Sequence, residues 1–204
     1  MGKWIIPIGA ALTAVLVSIV TYGRLPEQMI VNFNPAQNAN NWMDKSVGAF
    51  LLPALILFVA WMVQFFIRFE KDENKRKRAE RTLSAIIGIT SVMVLVVHGF
   101  LIAYNLGYQL SIAVFVTLLI GIVFVMIGNL IPRLPQGSYT WPKLEDSRYR
   151  RLLRFQGRLM MIFGFVFALL ALLPNKFIFT LFFLLLGCFI VITIGKSVRV
   201  ATSG

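Results

Sequence analysis

The chain has 204 residues, of which 58% are apolar, with 20 Lys/Arg against 8 Asp/Glu, a single His and a single Cys. A mean hydropathy of +0.81 excludes an ordinary soluble domain, and the length leaves no room for a second, soluble one. The lone Cys188 excludes an intrachain disulfide, and one Cys with one His cannot build a protein-only metal site of three or four soft ligands.

A helix needs about 20 largely apolar residues to cross a bilayer. Six segments qualify: 4–22, 47–67, 82–104, 111–131, 155–173 and 177–195. They lack the apolar–polar alternation of a membrane β-barrel. The expected fold is therefore all-α, one integral membrane domain over 1–204 with six transmembrane helices. The first apolar run is too long for a signal-peptide core and no A-x-A site follows it, so it counts as a span. Ile6 stands where N-myristoylation needs Ser or Thr.

Seventeen of the twenty Lys/Arg lie at the N-terminus, in the second and fourth loops with their flanks, or in the C-terminal tail; Arg24, Lys45 and Lys176 are the other three. Basic residues near span ends are retained in the cytoplasm, so both termini are expected inside. Membrane insertion accounts for the charge, and no motif accompanies it that would indicate direct nucleic-acid binding.

Loop 23–46 then faces outward. Its stretch YGRLPEQMIVNFNPAQNANNW holds five Asn, two Gln and only two charges. Met29–Phe33 is strand-prone, Asn34-Pro35 marks a turn, and Trp42 suits the membrane interface, which together predict a short hairpin-like cap. The second loop, Arg68–Arg81, is a charge block with acid–base pairs at i,i+4, Asp72 with Arg76 and Glu73 with Lys77. Residues 105–110 and 174–176 make short outer turns.

The cytoplasmic signature loop, 132–154, opens with three prolines and Gly137 that forbid regular helix through Pro142. Asp146 or Ser147 can cap the helix that follows. Arg150, Arg154 and Arg158 fall at i, i+4, i+8 on it, opposite Tyr149, Leu152, Leu153 and Leu159. Such a stripe is either an interfacial helix whose arginines reach lipid phosphates or a docking surface for an acidic protein face.

No metalloprotease helix, nucleophile elbow or P-loop is present, and the central thirds of the spans contain no Asp, Glu, Lys or Arg. An enzyme is not expected, and no cofactor is implied. His98 is the one ionisable intramembrane residue, either a functional group partnered by Glu27 or Asp44 or a neutral imidazole bonded to a neighbouring helix. Gln64 and Asn129 are candidates for hydrogen bonds between helices. Arg24-Leu25-Pro26 after the first span echoes Arg133-Leu134-Pro135 after the fourth, a hint of an inverted repeat.

Two stretches carry a family resemblance. Leu25 to Asn34, after a first span, resembles the LP-x-x-[IV] outer loop of a widespread bacterial membrane domain of unknown function. The fourth loop resembles the signature of the SdpI family, immunity proteins of the sporulation-delaying toxin system. Gly128-Asn129, then Gly137, Thr140 and Leu144, then Tyr149, Arg150, Gly157, Arg158 and Leu159 fit its elements. Tyr139 replaces the signature Arg, Trp141-Pro142 inverts its Pro-Trp, and Leu152-Leu153 replaces its Thr-His. The resemblance implies a six-span protein of the bacterial cytoplasmic membrane that protects its cell against a secreted peptide toxin and holds a cytoplasmic repressor at the membrane. Pro26, Asn32, Phe33, Asn34 and Trp42 are then the expected toxin contacts, since amides bond a peptide backbone without a strong field. Asn129, Gly137, Thr140, Trp141, Arg150, Arg154 and Arg158 are the expected partner contacts. A small transporter or exporter of a hydrophobic substrate, with His98 near its path, is the alternative, and an accessory subunit of an envelope complex is a third reading.

Overall fold

The computed structural model describes residues 2–34, 37–137 and 143–202. In chain order it forms helix α1 (Ile5–Thr21), strands β1 (Gln28–Phe33) and β2 (Ala39–Asp44), and the single turn α2 (Lys45–Gly48). Helices α3 (Leu51–Ile67), α4 (Glu73–Asn105), α5 (Ile112–Leu130), α6 (Asp146–Leu170) and α7 (Asn175–Thr202) follow. All but α2 and α3 are long and apolar enough to cross a membrane. With 17 residues, α3 reaches about 25 Å at 1.5 Å per residue, short of a core of about 30 Å.

The short helix has a local cause. The sequence predicts one span from Val47, but the chain turns at Ala49–Phe50 before α3 starts. Pro53 has no N–H, so the carbonyl of Ala49, four residues earlier, has no helical donor. The charge block departs from expectation in the other direction. It is helical from Glu73 and joins the third span into one 33-residue helix. Asp72 caps it, its Oδ1 accepting from the N–H groups of Asn74 (2.9 Å) and Lys75 (3.0 Å). Asp72 therefore serves the helix end and not Arg76, while the expected Glu73–Lys77 pair forms at 2.8 Å. At its other end α4 stops on Gly107, with φ of +92°. Tyr108 N–H bonds Ala103 O and Gly107 N–H bonds Tyr104 O, a Schellman closure that needs a left-handed residue there.

Two compact units divide the chain, Met1–Val63 with Ile87–Ile112, and Gln64–Ile86 with Ala113–Gly204. In the first, α1 turns a small face inward: Ala10, Ala14 and Ser18, spaced by four, are buried together with Ala11. Ile56, Val94 and Leu95 pack on its alanines. Towards the hairpin end, Leu25, Met29, Ala49 and Ile102 form a second cluster.

In the other unit, α5 and α6 meet backbone to backbone through two glycine pairs. A Cβ placed on Gly121 would lie 2.7 Å from the Gly164 carbonyl oxygen, and one on Gly157 would lie 2.5 Å from that of Gly128. The two pairs stand seven residues apart on both helices, so they recur on one face of each. Close approach through small residues is the usual way membrane helices gain dispersion contacts, because lipid supplies no hydrophobic drive between them. Phe167, fully buried, centres this unit's core, with Phe182 at 4.9 Å, Phe124 at 5.4 Å and Phe163 at 6.0 Å between ring centroids. Gln64 is buried and donates to Ser84 Oγ at 3.4 Å, as expected of an interhelical amide. Asn129, by contrast, is exposed on the last turn of α5 and its side chain makes no hydrogen bond among the described residues.

Large apolar side chains point outward, Val20, Val191 and Leu172 being 70–81% exposed, which suits lipid and not water. The apolar helices, five of them long enough to span, make this a multi-pass membrane protein.

Replacing Gly157 with alanine pushes a methyl group into a backbone oxygen that cannot give way. Its expected cost is about 1–3 kcal/mol, read as a lower unfolding temperature of the detergent-solubilised protein. Gly187→Ala, which meets nothing within 4 Å, is expected to leave that temperature unchanged.

Candidate functional site

The amide-rich stretch folds as predicted, into an antiparallel hairpin pairing Gln28 with Asp44, Met29 with Met43 and Ile30 with Trp42. The register slips around Val31, leaving Asn32 opposite Asn41 and Phe33 opposite Ala39. Both asparagines patch the irregular backbone: Asn32 Oδ1 accepts from Phe33 N–H at 2.8 Å, and Asn41 Oδ1 from Trp42 N–H at 2.9 Å. Asn34 builds the turn itself. Its Oδ1 accepts from Asn38 N–H (2.9 Å) and its carbonyl from Gln37 N–H (2.8 Å), with Gln37 left-handed at φ 65°. Pro35 lies outside the described residues.

A residue not singled out in the sequence holds this hairpin in place. Asn105, at the end of α4, accepts from Ile30 N–H through Oδ1 (2.8 Å) and donates through Nδ2 to Ile30 O (2.9 Å) and Leu101 O (2.8 Å). Ile30 turns both backbone groups away from β2, so the Asn105 amide takes the place of a third strand at that point. Phe33 adds an edge-to-face contact with Tyr104 at 4.9 Å. At the hairpin base, Lys45 pairs with Glu27 at 3.1 Å and lies 4.8 Å over the Tyr22 ring. Gln28 Nε2 donates to Asp44 Oδ1 at 2.5 Å.

Beneath the hairpin, the carbonyl orphaned by Pro53 is repaired. Ser18 Oγ donates to Ala49 O at 2.5 Å, so toward His98 the same oxygen acts as acceptor. His98 Nε2 lies 3.0 Å from Ser18 Oγ and 3.1 Å from the Ala14 carbonyl, which accepts only. Nε2 therefore carries the proton and shares it between the two. Glu27 and Asp44 are bonded to Lys45 and Gln28 respectively, and neither is the partner of His98. The helix-bonding reading of His98 is the one this geometry supports.

The expected outer contacts thus separate. Asn34 is a turn builder and Phe33 packs on α4, while Pro26, Asn32 and Trp42 are exposed; Trp42 is 50% exposed. Asn40 and Asn41 join the exposed set. Of the expected inner contacts, Arg150, Arg154 and Arg158 are exposed along α6, with Leu152 and Leu153 buried on its other side. Neither Asp146 nor Ser147 caps that helix; its N-cap is Glu145 with no side-chain cap bond, and Ser147 Oγ bonds Glu145 Oε1 at 2.9 Å. Gly137 is buried and its carbonyl accepts from Lys143 Nζ. Thr140 and Trp141 lie outside the described residues. Tyr149 ties the start of α6 to Pro135 O at 3.3 Å.

The two Arg-Leu-Pro echoes adopt the same local form, a 3-10 turn ending on Arg24 or Arg133 followed by an extended Leu25 or Leu134. A proline disfavours helical backbone in the residue before it, so local sterics explain the match.

A domain of unknown function, DUF1648, matches residues 9–57, from α1 through the hairpin into α3. The immunity protein SdpI of Bacillus subtilis (strain 168) is 22% identical over 202 residues, 95% of this chain and 93% of that protein. The uncharacterized membrane protein YbgB of the same organism is 36% identical over 53 residues, 26% of this chain and 58% of its own length. No solved structure matches significantly. The similarity to SdpI runs over nearly the whole chain, at low identity. Gly128 and Gly157, which fit the resemblance read from the fourth loop, face each other between α5 and α6.

Because Asn105 makes two hydrogen bonds to the hairpin edge, Asn105→Ala is expected to speed amide exchange at Ile30 by about tenfold or more, the loss of roughly 1–3 kcal/mol of local stability. Hydrogen-exchange mass spectrometry of a peptide covering β1 reads this, with a peptide from α7 as the unaffected reference.

Proposed function

We propose that this chain is an immunity protein of the bacterial cytoplasmic membrane, protecting its cell against a secreted peptide toxin that the hairpin meets. The observation that carries this is the asymmetry of the hairpin. Asn105 occupies the β1 edge at Ile30, while among the described residues β2 pairs with β1 alone and exposes Asn40, Asn41 and Trp42. An open strand edge accepts an extended peptide by main-chain hydrogen bonds, with neighbouring side chains setting preference. The amide nitrogens of Asn32 and Asn41 make no hydrogen bond among the described residues, so their donors remain available to a peptide carbonyl. Similarity to SdpI over nearly the full chain supports the same reading.

The topology that serves it has six spans with both termini inside, the sixth being the apolar α3, whose 17 residues stand at the short end of the length that crosses a bilayer. An even number brings the block Arg68–Arg81, the fourth loop and both termini to one face, as basic flanks require. The hairpin then lies outside. Asn40→Cys, in a Cys188→Ala background, is expected to react with a membrane-impermeant maleimide on intact cells, and Lys75→Cys only after permeabilisation. The reverse pattern overturns the topology.

Within the same reading, the exposed stripe Arg150, Arg154 and Arg158 is the docking face for an acidic cytoplasmic repressor. Two buried leucines on the far side of α6 support this by fixing which face points outward.

The decisive test expresses the protein in a toxin-sensitive strain and measures survival against candidate secreted peptides. Wild type is expected to protect, and N41A/W42A to lower the tolerated dose by about tenfold at equal membrane abundance, in keeping with loss of an aromatic anchor. Tyr108→Ala, an exposed change in the third loop, is expected to protect fully. Full protection by N41A/W42A removes the hairpin from the recognition site. Absence of protection by wild type removes the immunity reading itself.

A further inference from the structure

A cleft between the first turns of α6 and the last turns of α7 has no place in the function proposed above. It encloses about 280 Å³ and is lined by Arg148, Arg151, Lys196, Arg199 and Val200. Two helices are needed to build it, and their relative register is set by specific contacts. Gln156 Nε2 donates to Ser197 Oγ at 3.3 Å, and that hydroxyl in turn donates to Thr193 O at 2.7 Å. Lys196 extends over the Phe155 ring at 5.7 Å. Arg148 and Lys196 are half-buried, Arg151 and Arg199 exposed. Arg148 and Arg151 are separate residues from the i, i+4, i+8 series Arg150, Arg154 and Arg158, none of which lines the cleft.

Four cations line one small volume, and Arg148 also pairs with Glu145 at 3.7 Å. Such an arrangement is stabilised by an anion within it. Its chemistry favours phosphate, because guanidinium groups offer planar, paired donors that match phosphate oxygens and the ammonium adds a compact charge.

The position of the cleft selects the source of that phosphate. Lys196 is the first charge after the apolar run of α7, and Arg199 follows three residues on, about 4.5 Å along the axis. The headgroup layer extends roughly 5–7 Å beyond the hydrocarbon on each side. The two α7 cations therefore sit at the depth of lipid phosphates, and basic pockets between membrane helices at this level take anionic headgroups. Val200 adds an apolar surface suited to a lipid's glycerol end.

We propose that this cleft is a binding site for one anionic phospholipid headgroup. The site holds the lipid phosphodiester between α6 and α7 and pins the helix that carries the signature loop to the membrane surface. This does not depend on the immunity reading.

The test is native mass spectrometry of the full-length protein in detergent, titrated with phosphatidylglycerol or with phosphatidylcholine of the same acyl chains. One phosphatidylglycerol is expected to be retained with about tenfold preference over phosphatidylcholine. R151Q/K196Q is expected to lose that preference about tenfold, R199Q alone about threefold, given the contribution of each basic side chain near an anionic surface. K75Q/R78Q, which removes the same charge from exposed positions on α4, is expected to retain it. Circular dichroism with unchanged helix content shows that each variant is folded; if R151Q/K196Q does not fold, R199Q decides the matter. Retention of the preference in the cleft variants overturns the proposal and leaves an acidic protein segment as the occupant. Equal loss in K75Q/R78Q overturns it in favour of diffuse surface charge. Displacement of the lipid by an equal concentration of inorganic phosphate overturns the lipid assignment in favour of a soluble anion.

Discussion

A chain that lives in a bilayer has no water to satisfy its backbone, so each peptide group inside must find a partner within the protein. Pro53 breaks that rule at Ala49, and the neighbouring helices compensate. Ser18 on α1 donates to the orphaned carbonyl, and His98 on α4 donates to Ser18 and to Ala14. Three segments of the first unit are joined by this relay of one hydroxyl and one imidazole proton. The small face of α1 makes it possible, because Ala10, Ala14 and Ser18 let the other chains come within hydrogen-bond range.

The same constraint shapes the hairpin above it. Its strands carry polar groups that face outward on both edges, and one edge is closed by the Asn105 amide. Asn32, Asn34 and Asn41 satisfy irregular backbone locally where the register slips and the chain turns. The asparagine-rich composition is thus partly structural: oxygens of three amides are used to shape the hairpin, which frees the nitrogens of two for whatever meets it. In the other unit the governing contact is steric. Two glycine pairs bring α5 and α6 together, and the phenylalanine core and the cationic cleft form around the α6–α7 packing that follows.

Much of this was legible in the sequence, and the exceptions share a cause. Long apolar runs marked the spans because hydrophobic length is a one-dimensional property. The strand-prone run Met29–Phe33 with Asn34 after it marked the hairpin because turn chemistry is local. Glu73–Lys77 was legible for the same reason. Asp72 was misjudged as an ion-pair partner of Arg76: the same side chain suits either role, and only the helix start at Glu73 made capping the stronger one. Asn129 was expected to bridge helices, yet it points outward, since its direction depends on the rotation of α5 set by the glycine pairs.

By itself, the sequence determined the class of protein, the number of apolar helices, the placement of charge and the amide-rich turn, because each follows from residues adjacent along the chain. Only the tertiary structure decided the partners of His98, the clamp by Asn105, the meeting of Gly128 with Gly157 and the convergence of Arg148 and Arg151 with Lys196 and Arg199. These pairings join residues 29 to 84 positions apart. At such separations nothing local biases one partner over another; the choice is made by which helix faces can approach closely and which buried polar groups would otherwise go unsatisfied.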